Sequence, residues 1–150
     1  MKNIAILSVG FGNPTSVINM FSSIGCNAFS IDEKNINVET TIDLLVVPGV
    51  GSFDGAMESL GIIAKEFILH HVQSKKPLLG ICIGMHILFD SSEEGSQLGL
   101  SLIPGKVKKF PRAILENYSL PIPHVGWNEV VMVDELAVDS QQLSRFYFAH

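Results

Sequence analysis

A cysteine between two glycines is the feature of this sequence best suited to chemistry. Cys82 lies at the centre of Gly-Ile-Cys-Ile-Gly, residues 80–84, within the apolar stretch PLLGICIGMH. This spacing is typical of a nucleophile elbow, in which a strand turns at once into a helix and the neighbours two residues away carry no side chain. The free N–H groups of that helix would stabilise the thiolate, and the N–H of Ile83 would bind a developing oxyanion.

A second glycine-rich stretch, Pro-Gly-Val-Gly at 48–51, ends the apolar run DLLVVPGVG. Ligands of open parallel sheets bind at the carboxyl ends of the strands, where the elbow is also expected. The N–H of Val50 or Gly51 is therefore a candidate for the second donor of an oxyanion hole. The alternatives are an ordinary strand-to-helix turn at this loop and an inert, buried Cys82, since free cysteines often fill cores. Cys26, at a predicted helix end, is interpreted as structural.

The segments around these residues alternate between strand and helix patterns. Short apolar runs predict buried strands at 4–9, 27–31, 43–51 and 77–81. Apolar residues three or four positions apart predict helices at 15–24, at 54–74 and, after Cys82, at MHILFDSS. This order predicts an α/β fold with an open, mostly parallel twisted sheet and helices on both faces.

The last third of the chain has a different pattern. It contains four prolines, at 104, 111, 121 and 123, and three short strand-like segments without intervening helices, KVKKF, WNEVVMV and RFYFAH. We expect a mixed or antiparallel extension of the sheet in this region.

Composition excludes several classes of function. The chain has 150 residues, 47% of them hydrophobic, and a net charge of -5, which argues against a surface for nucleic acid or anionic membrane. The opening MKNIAILSVG is too short for a membrane span and has no signal-peptide pattern, so we expect a cytoplasmic protein. Two cysteines and five histidines without metal-ligand spacing predict no metal and no cofactor.

Six stretches of the sequence together resemble a known family, in that family's order and over nearly the whole chain. They are GFGNPTSV, LLVVPGVGSFDGAM, PLLGICIGMHILFDSSEEG, LGLSLIPGKVKKFP, IPHVGWNEV and RFYFAH. The chain resembles the class I, triad-type glutamine amidotransferases, and more closely the glutaminase subunits of imidazole glycerol phosphate synthase. The resemblance implies the flavodoxin-like fold of that class.

The resemblance also implies a reaction. Cys82 would attack the side-chain amide of glutamine, ammonia would leave, and water would hydrolyse the thioester to glutamate. The ammonia would pass through a tunnel into a (βα)8-barrel cyclase, which forms a heterodimer with this subunit. The products there would be imidazole glycerol phosphate and aminoimidazole carboxamide ribotide, in histidine biosynthesis.

Site residues follow from the same resemblance, position by position. The oxyanion hole would comprise Val50, Gly51 and Ile83. The residues expected to bind the substrate are Gly49, His86 and Glu94, with Glu94 on the amino group of glutamine. The residues expected at the cyclase interface are Asn13, Trp127 and Tyr147. Without the resemblance, Glu94 would be interpreted as a solvated charge and the two aromatic residues as core.

Two features depart from the family pattern. The family usually has glutamine where this chain has His86; the histidine is expected to hydrogen-bond the substrate, and the alternative is that it tunes the thiol. The family also takes its base and orienting acid from a later Phe-His-Pro-Glu type of stretch, and residues 1–150 contain none. His124 and His150 match other positions of the family, and neither is assigned as the base.

These departures leave alternatives open. We expect residues 1–150 to be a single amidotransferase domain that is incomplete at its C-terminal end, with no meaningful glutaminase activity alone. One alternative is a degenerate interaction subunit that keeps the partner surface. Another is a paralogous subunit that supplies ammonia for nucleotide-sugar amination. A different elbow-cysteine enzyme or chaperone is disfavoured by PGVGSFDGAM and PHVGWN.

Overall fold

A four-stranded sheet forms from the four apolar runs. The computed structural model describes residues 1–36, 41–118, 121–130 and 144–149. The strands are β1 (Asn3–Leu7), β2 (Asn27–Ile31), β3 (Leu44–Gly49) and β4 (Leu78–Cys82). They lie in the order β2-β1-β3-β4, and all neighbours are parallel. This is the order of the flavodoxin-like, doubly wound folds, so the predicted fold class is confirmed.

Helices cover both faces of this sheet. Successive residues of a strand point to opposite faces, and in β1 Ala5 and Leu7 join one buried cluster while Ile4 and Ile6 join another. The first cluster packs under α2 (Phe53–Ser59) and α3 (Ile62–Gln73), and the second under α1 (Pro14–Ser23). The continuous apolar pattern of the strands reflects this burial on two sides.

The first helix begins and ends at residues that the sequence marks for those roles. The Oδ1 atom of Asn13 accepts a hydrogen bond from Ser16 N–H, and a proline occupies the first turn. At the other end, Gly25 has φ 81°, and the N–H groups of Gly25 and Cys26 donate to the carbonyls of Ser22 and Phe21. This is a Schellman motif. The half-buried Cys26 side chain packs against the cluster of Ile4, Ile6 and Val46, which is consistent with the structural role predicted for it.

The long helix predicted at 54–74 is wrong, because α2 and α3 form two shorter helices there. The break falls at Gly61, whose helix propensity is low. Leu60 caps α2 through its N–H, which donates to Ala56 O, and its side chain is fully buried. Burial of Leu60 and a glycine after it therefore divide a segment with one continuous apolar pattern.

The helix after Cys82 is also shorter than predicted. It is a single turn, α4 (Ile83–His86), and a strand, β5 (Phe89–Ser92), occupies the rest of the expected helix. The carbonyl of Ile87 accepts from Leu100 N–H, and that of Leu88 accepts from Leu102 and Ile103 N–H. These carbonyls are no longer available for the next helical turn, so tertiary hydrogen bonds end the helix.

The chain divides into two compact units, Met1–Lys109 and Phe110–His150. In the first, β5 pairs in parallel with β6 (Ile103–Val107) as a separate two-stranded sheet. In the second, β7 (Val125–Val130) pairs with β8 (Ser144–Ala149) in antiparallel fashion. The predicted antiparallel pairing is confirmed, but β7 and β8 form a two-stranded sheet of their own and do not extend the four-stranded sheet. The expectation of a region without helices is wrong, since α5 (Arg112–Tyr118) lies there. The prediction of one incomplete domain stays a prediction.

Candidate active site

The backbone at Cys82 has the geometry of a nucleophile elbow. Cys82 is the last residue of β4 and the N-cap of α4, with φ 56° and ψ -122°, and it is exposed. A non-glycine residue rarely adopts this conformation, which costs about 1–3 kcal/mol and persists only where the surroundings impose it. The predicted sharp turn is therefore confirmed. The helix that follows, α4, is one turn long.

The two glycines of the motif are required by close backbone contacts. A Cβ atom on Gly80 would lie 2.6 Å from Gly84 O and from the Cα atom of Met85. A Cβ atom on Gly84 would collide with the carbonyl oxygen of Val47, in β3. Both neighbours are backbone atoms that cannot move independently. The elbow of this chain therefore requires that the residues two positions before and after Cys82 carry no side chain, as the Gly-x-Cys-x-Gly spacing predicts.

The loop at 48–51 lies directly against the elbow. Gly49 is the register partner of Cys82, and a Cβ atom on Gly49 would lie 2.7 Å from Gly84 N. Val50 and Gly51 follow at once; the Val50 side chain is 63% exposed, and Gly51 has φ 116°. The structure thus brings together the elbow and the loop that were predicted to form an oxyanion hole, while the hole itself stays a prediction.

The loop at 10–13 supports this arrangement, a role that sequence analysis did not assign. A Cβ atom on Gly12 would lie 2.8 Å from Pro48 O, and Gly12 has φ 93°. The ring of Phe11 lies in the same region, since its Cδ2 atom would be 3.1 Å from a Cβ atom on Gly49. The second glycine of GFGN, Gly12, is the sequence signal for this close approach.

Glu94 lies in a turn whose neighbouring residues are fixed by hydrogen bonds, whereas the carboxylate of Glu94 itself has no such partner among the described residues. Its N–H donates to the Oγ atom of buried Ser92 at 3.1 Å. Glu93 is anchored on both sides, because its N–H donates to Val107 O at 2.9 Å and its carboxylate accepts from Lys109 N–H at 3.0 Å. The Glu94 side chain is exposed and contacts no cationic group among the described residues. Its carboxylate is therefore available to a ligand.

Asp54 is the residue of this region that sequence analysis missed. Its carboxylate accepts from Ser96 N–H at 2.9 and 3.0 Å, from Ser96 Oγ at 3.1 Å and from Gln97 N–H at 3.0 Å. These hydrogen bonds, first those of the Ser96 and Gln97 backbone, lower the pKa of Asp54. From the sequence, the SFDG stretch indicates only that Asp54 lies near the start of a helix.

His86 has an unsatisfied nitrogen. Its Nδ1 atom is buried and has no hydrogen-bond partner among the described residues. A buried polar atom without a partner is costly, so this site suits a ligand or a water molecule that supplies the missing hydrogen bond. Neither of the two roles expected for His86, substrate contact or tuning of the thiol, is tested by this geometry.

The three residues expected at a partner interface lie at exposed positions. Asn13 is exposed and caps α1. Trp127 and Tyr147 are register partners on β7 and β8, with ring centroids 5.6 Å apart and planes at 72°. They are 62% and 58% exposed, so the alternative interpretation of these two aromatic residues as core is wrong. Large exposed aromatic side chains are typical of interaction surfaces.

Within the unit Met1–Lys109, no histidine that the structure describes, His86 included, forms a hydrogen bond with the Cys82 thiol. His71 is buried, and its Nε2–H donates to Pro77 O at 2.8 Å. His70 is exposed, and His124 bonds Asn128 Oδ1 through Nε2 at 3.0 Å. His150 lies outside the described residues.

The described residues show neither a metal site nor a membrane span. They contain no group of three histidine, cysteine, aspartate or glutamate residues that could hold a metal ion. None of their helices has the length and apolar character needed to cross a membrane.

Comparison with known proteins identifies the family. Residues 5–150 match the family model described as glutamine amidotransferase class-I. The subunit named imidazole glycerol phosphate synthase subunit HisH 2 of Methanococcus maripaludis is 43% identical over 98% of this chain and 72% of its own length. The HisH subunit of Nitrosospira multiformis is 36% identical over 100% of this chain and 73% of its own length. The HisH subunit of Prochlorococcus marinus is 40% identical over 99% of this chain and 68% of its own length. The chain belongs to the class I glutamine amidotransferases and, within them, to the HisH subunits of imidazole glycerol phosphate synthase.

Proposed function

We propose that this chain is a glutaminase subunit in which Cys82 is the nucleophile. The sulfur attacks the side-chain carbonyl carbon of glutamine, the C–N bond breaks, and the nitrogen leaves as ammonia after gaining a proton. Water then attacks the thioester, which releases glutamate and restores the thiol. The observation that carries this proposal is the strained, exposed backbone of Cys82 beside the glycine loop, since strain of this kind persists at functional sites.

The tetrahedral intermediate carries an oxyanion that needs two donors. We assign these to the N–H of Ile83 and to an N–H of Val50 or Gly51. Support comes from the pairing of Gly49 with Cys82 and from its contact with the first turn of α4. Gly49 contributes to the substrate site through its backbone, since a side chain there would collide with Gly84 N in the elbow.

Two further residues are proposed to bind glutamine. The Glu94 carboxylate receives the α-ammonium group, which is supported by its exposure in an anchored turn. His86 hydrogen-bonds the substrate through Nδ1, which is supported by the lack of any other partner for that atom among the described residues.

We propose that the ammonia passes to a (βα)8-barrel cyclase subunit in a heterodimer, for the synthesis of imidazole glycerol phosphate and aminoimidazole carboxamide ribotide. The names of the relatives support a place in imidazole glycerol phosphate synthase. Asn13, Trp127 and Tyr147 are proposed to face the cyclase. The two free cysteines fit a reducing compartment such as the cytoplasm.

A second candidate is an interaction subunit without glutaminase chemistry. It is favoured by one observation, that no histidine described within the unit Met1–Lys109 forms a hydrogen bond with Cys82. The two candidates differ in whether Cys82 recognises glutamine, so they can be separated by labelling.

The deciding experiment compares two electrophiles that alkylate thiols. The first, 6-diazo-5-oxo-L-norleucine, is a glutamine analogue with a diazoketone in place of the amide, and the second, iodoacetamide, lacks the amino-acid part. We expect the analogue to label Cys82 but not Cys26, with saturation and with protection by glutamine, as read by mass spectrometry of peptides. Labelling of Cys82 that neither saturates nor responds to glutamine would favour the interaction subunit.

A further inference from the structure

Asp54 connects two loops of the candidate site that are far apart in sequence. It lies in the first turn of α2, directly after the glycine loop 48–51. Its carboxylate accepts hydrogen bonds from three donors, the N–H and hydroxyl of Ser96 and the N–H of Gln97, all at 2.9–3.1 Å. Hydrogen bonds to an ionised carboxylate are stronger than those between neutral groups. The turn that follows Glu94 is thus held to the helix that follows the glycine loop.

Close packing accompanies these hydrogen bonds. A Cβ atom on Gly95 would collide with Oδ1 of Asp54 and lie 2.7 Å from its Cγ atom. The position after Glu94 therefore has no room for a side chain while the carboxylate is in place.

A second side chain fastens the same turn to α2. The Nε2 group of Gln97 donates to Glu58 Oε1 at 3.2 Å and to the carbonyl oxygen of Asp54 at 3.4 Å. The turn is consequently attached to α2 at both Ser96 and Gln97, and its other side is attached to Lys109 through the Glu93 carboxylate.

We infer that Asp54 is a positioning residue that sets the place of the Glu94 carboxylate relative to the glycine loop, and so the length of amino acid that the site accepts. This inference rests on the proposed function, in which the loop binds the carbonyl end of the substrate and Glu94 its α-ammonium end. A fixed separation of the two ends favours glutamine over its shorter homologue asparagine, because both ends must be engaged together.

The test measures labelling of Cys82 in the Asp54→Asn variant. The side-chain nitrogen of asparagine cannot accept the hydrogen bonds that one carboxylate oxygen now accepts. We expect the concentration of 6-diazo-5-oxo-L-norleucine for half-maximal labelling to rise roughly tenfold. The labelling rate at saturation and the rate with iodoacetamide should both stay within about twofold of wild type, since the elbow is untouched. Protection by glutamine should weaken in parallel.

Two further variants serve as control and as second test. Asp43→Asn makes the same change at a carboxylate that accepts Asn3 N–H at 2.8 Å, before β3, and should leave labelling unchanged. Gly95→Ala keeps Asp54 but displaces its carboxylate, and should raise the half-maximal concentration as Asp54→Asn does. If Asp54→Asn does not fold, as judged by circular dichroism, Gly95→Ala decides.

The possible failures are distinguishable. If wild-type Cys82 reacts with the glutamine analogue without saturation or protection, the proposed function fails and the inference fails with it. If the wild type saturates and is protected, but Asp54→Asn and Gly95→Ala behave as wild type, only the positioning role is wrong. An equal fall in the rates of both electrophiles would show a general structural role and would also overturn the inference.

Discussion

At the scale of the residue, the elbow combines a reactive atom with an unfavourable backbone. Cys82 has a positive φ that glycine adopts readily and cysteine does not. Contacts of Gly80 and Gly84 with neighbouring backbone hold the chain in this shape. The strain at residue 82 is therefore retained together with the sulfur, as expected if the position serves chemistry rather than stability.

This strain predicts that replacing Cys82 by glycine raises the stability of the chain while it removes the reactive thiol. We expect Cys82→Gly to be more stable than Cys82→Ala by about 1 kcal/mol or more, because glycine relieves the strained φ and alanine does not. Both variants lose labelling at residue 82. The free energy of unfolding in urea, measured for the two variants side by side, checks the prediction. Equal stabilities would show that the backbone at this position is not strained in solution.

At the scale of the element, His71 joins the end of α3 to the start of the strand that carries Cys82. Burial, the largest cause, lowers the pKa of His71, while its hydrogen bond to Pro77 O opposes the shift. A histidine whose folded pKa is depressed is protonated more readily in the unfolded chain, so its contribution to stability is complete above about pH 6.5 and falls as pH decreases towards the folded pKa. We expect stability to decrease on acidification through this window.

The control for this pH dependence is the adjacent histidine. His71→Gln should flatten the change in unfolding free energy between about pH 6.5 and pH 5, a window above the titration of ordinary carboxylates. His70 is exposed, and its charge is the smallest of the causes of the pKa shift of His71, so His70→Gln should leave most of the dependence in place. A dependence that persists in His71→Gln would mean that another group causes it. The carboxylates with lowered pKa values, such as Asp54, act only at lower pH.

The elements also show what sequence patterns can predict. The four strands follow from continuous apolar runs, and α1 follows from apolar residues at helical spacing that end at Gly25, all of which are local signals. The short α4 was missed because its end depends on hydrogen bonds from residues 100–103, which no local pattern reveals. The candidate site shows the same contrast. The elbow follows from a short local motif, whereas the contact of Asp54 with Ser96 spans 42 residues and leaves no local pattern.

At the scale of the whole molecule, the two compact units hold different parts of the proposed function. The elbow, the glycine loop and Glu94 lie in the unit Met1–Lys109, as does Asn13, whereas the two aromatic residues proposed for the cyclase interface, Trp127 and Tyr147, lie in the unit Phe110–His150. Recognition of glutamine and binding of the cyclase are thus predicted to respond to separate substitutions.

Trp127 offers the clearest test of that separation. Trp127 is 62% exposed, and Trp127→Ala removes its edge-to-face contact with Tyr147, so the chain's stability should fall by only about 1 kcal/mol. Aromatic anchors often contribute about 2 kcal/mol or more to an interface, which predicts a fall of at least about 30-fold in affinity for the cyclase subunit of imidazole glycerol phosphate synthase. Phe146→Ala is the matched control, because Phe146 is 51% exposed but pairs with Asn128, on the other face of the hairpin. Calorimetric titration with the cyclase measures the affinity of each variant. If Trp127→Ala binds the cyclase as tightly as Phe146→Ala does, the interface lies elsewhere.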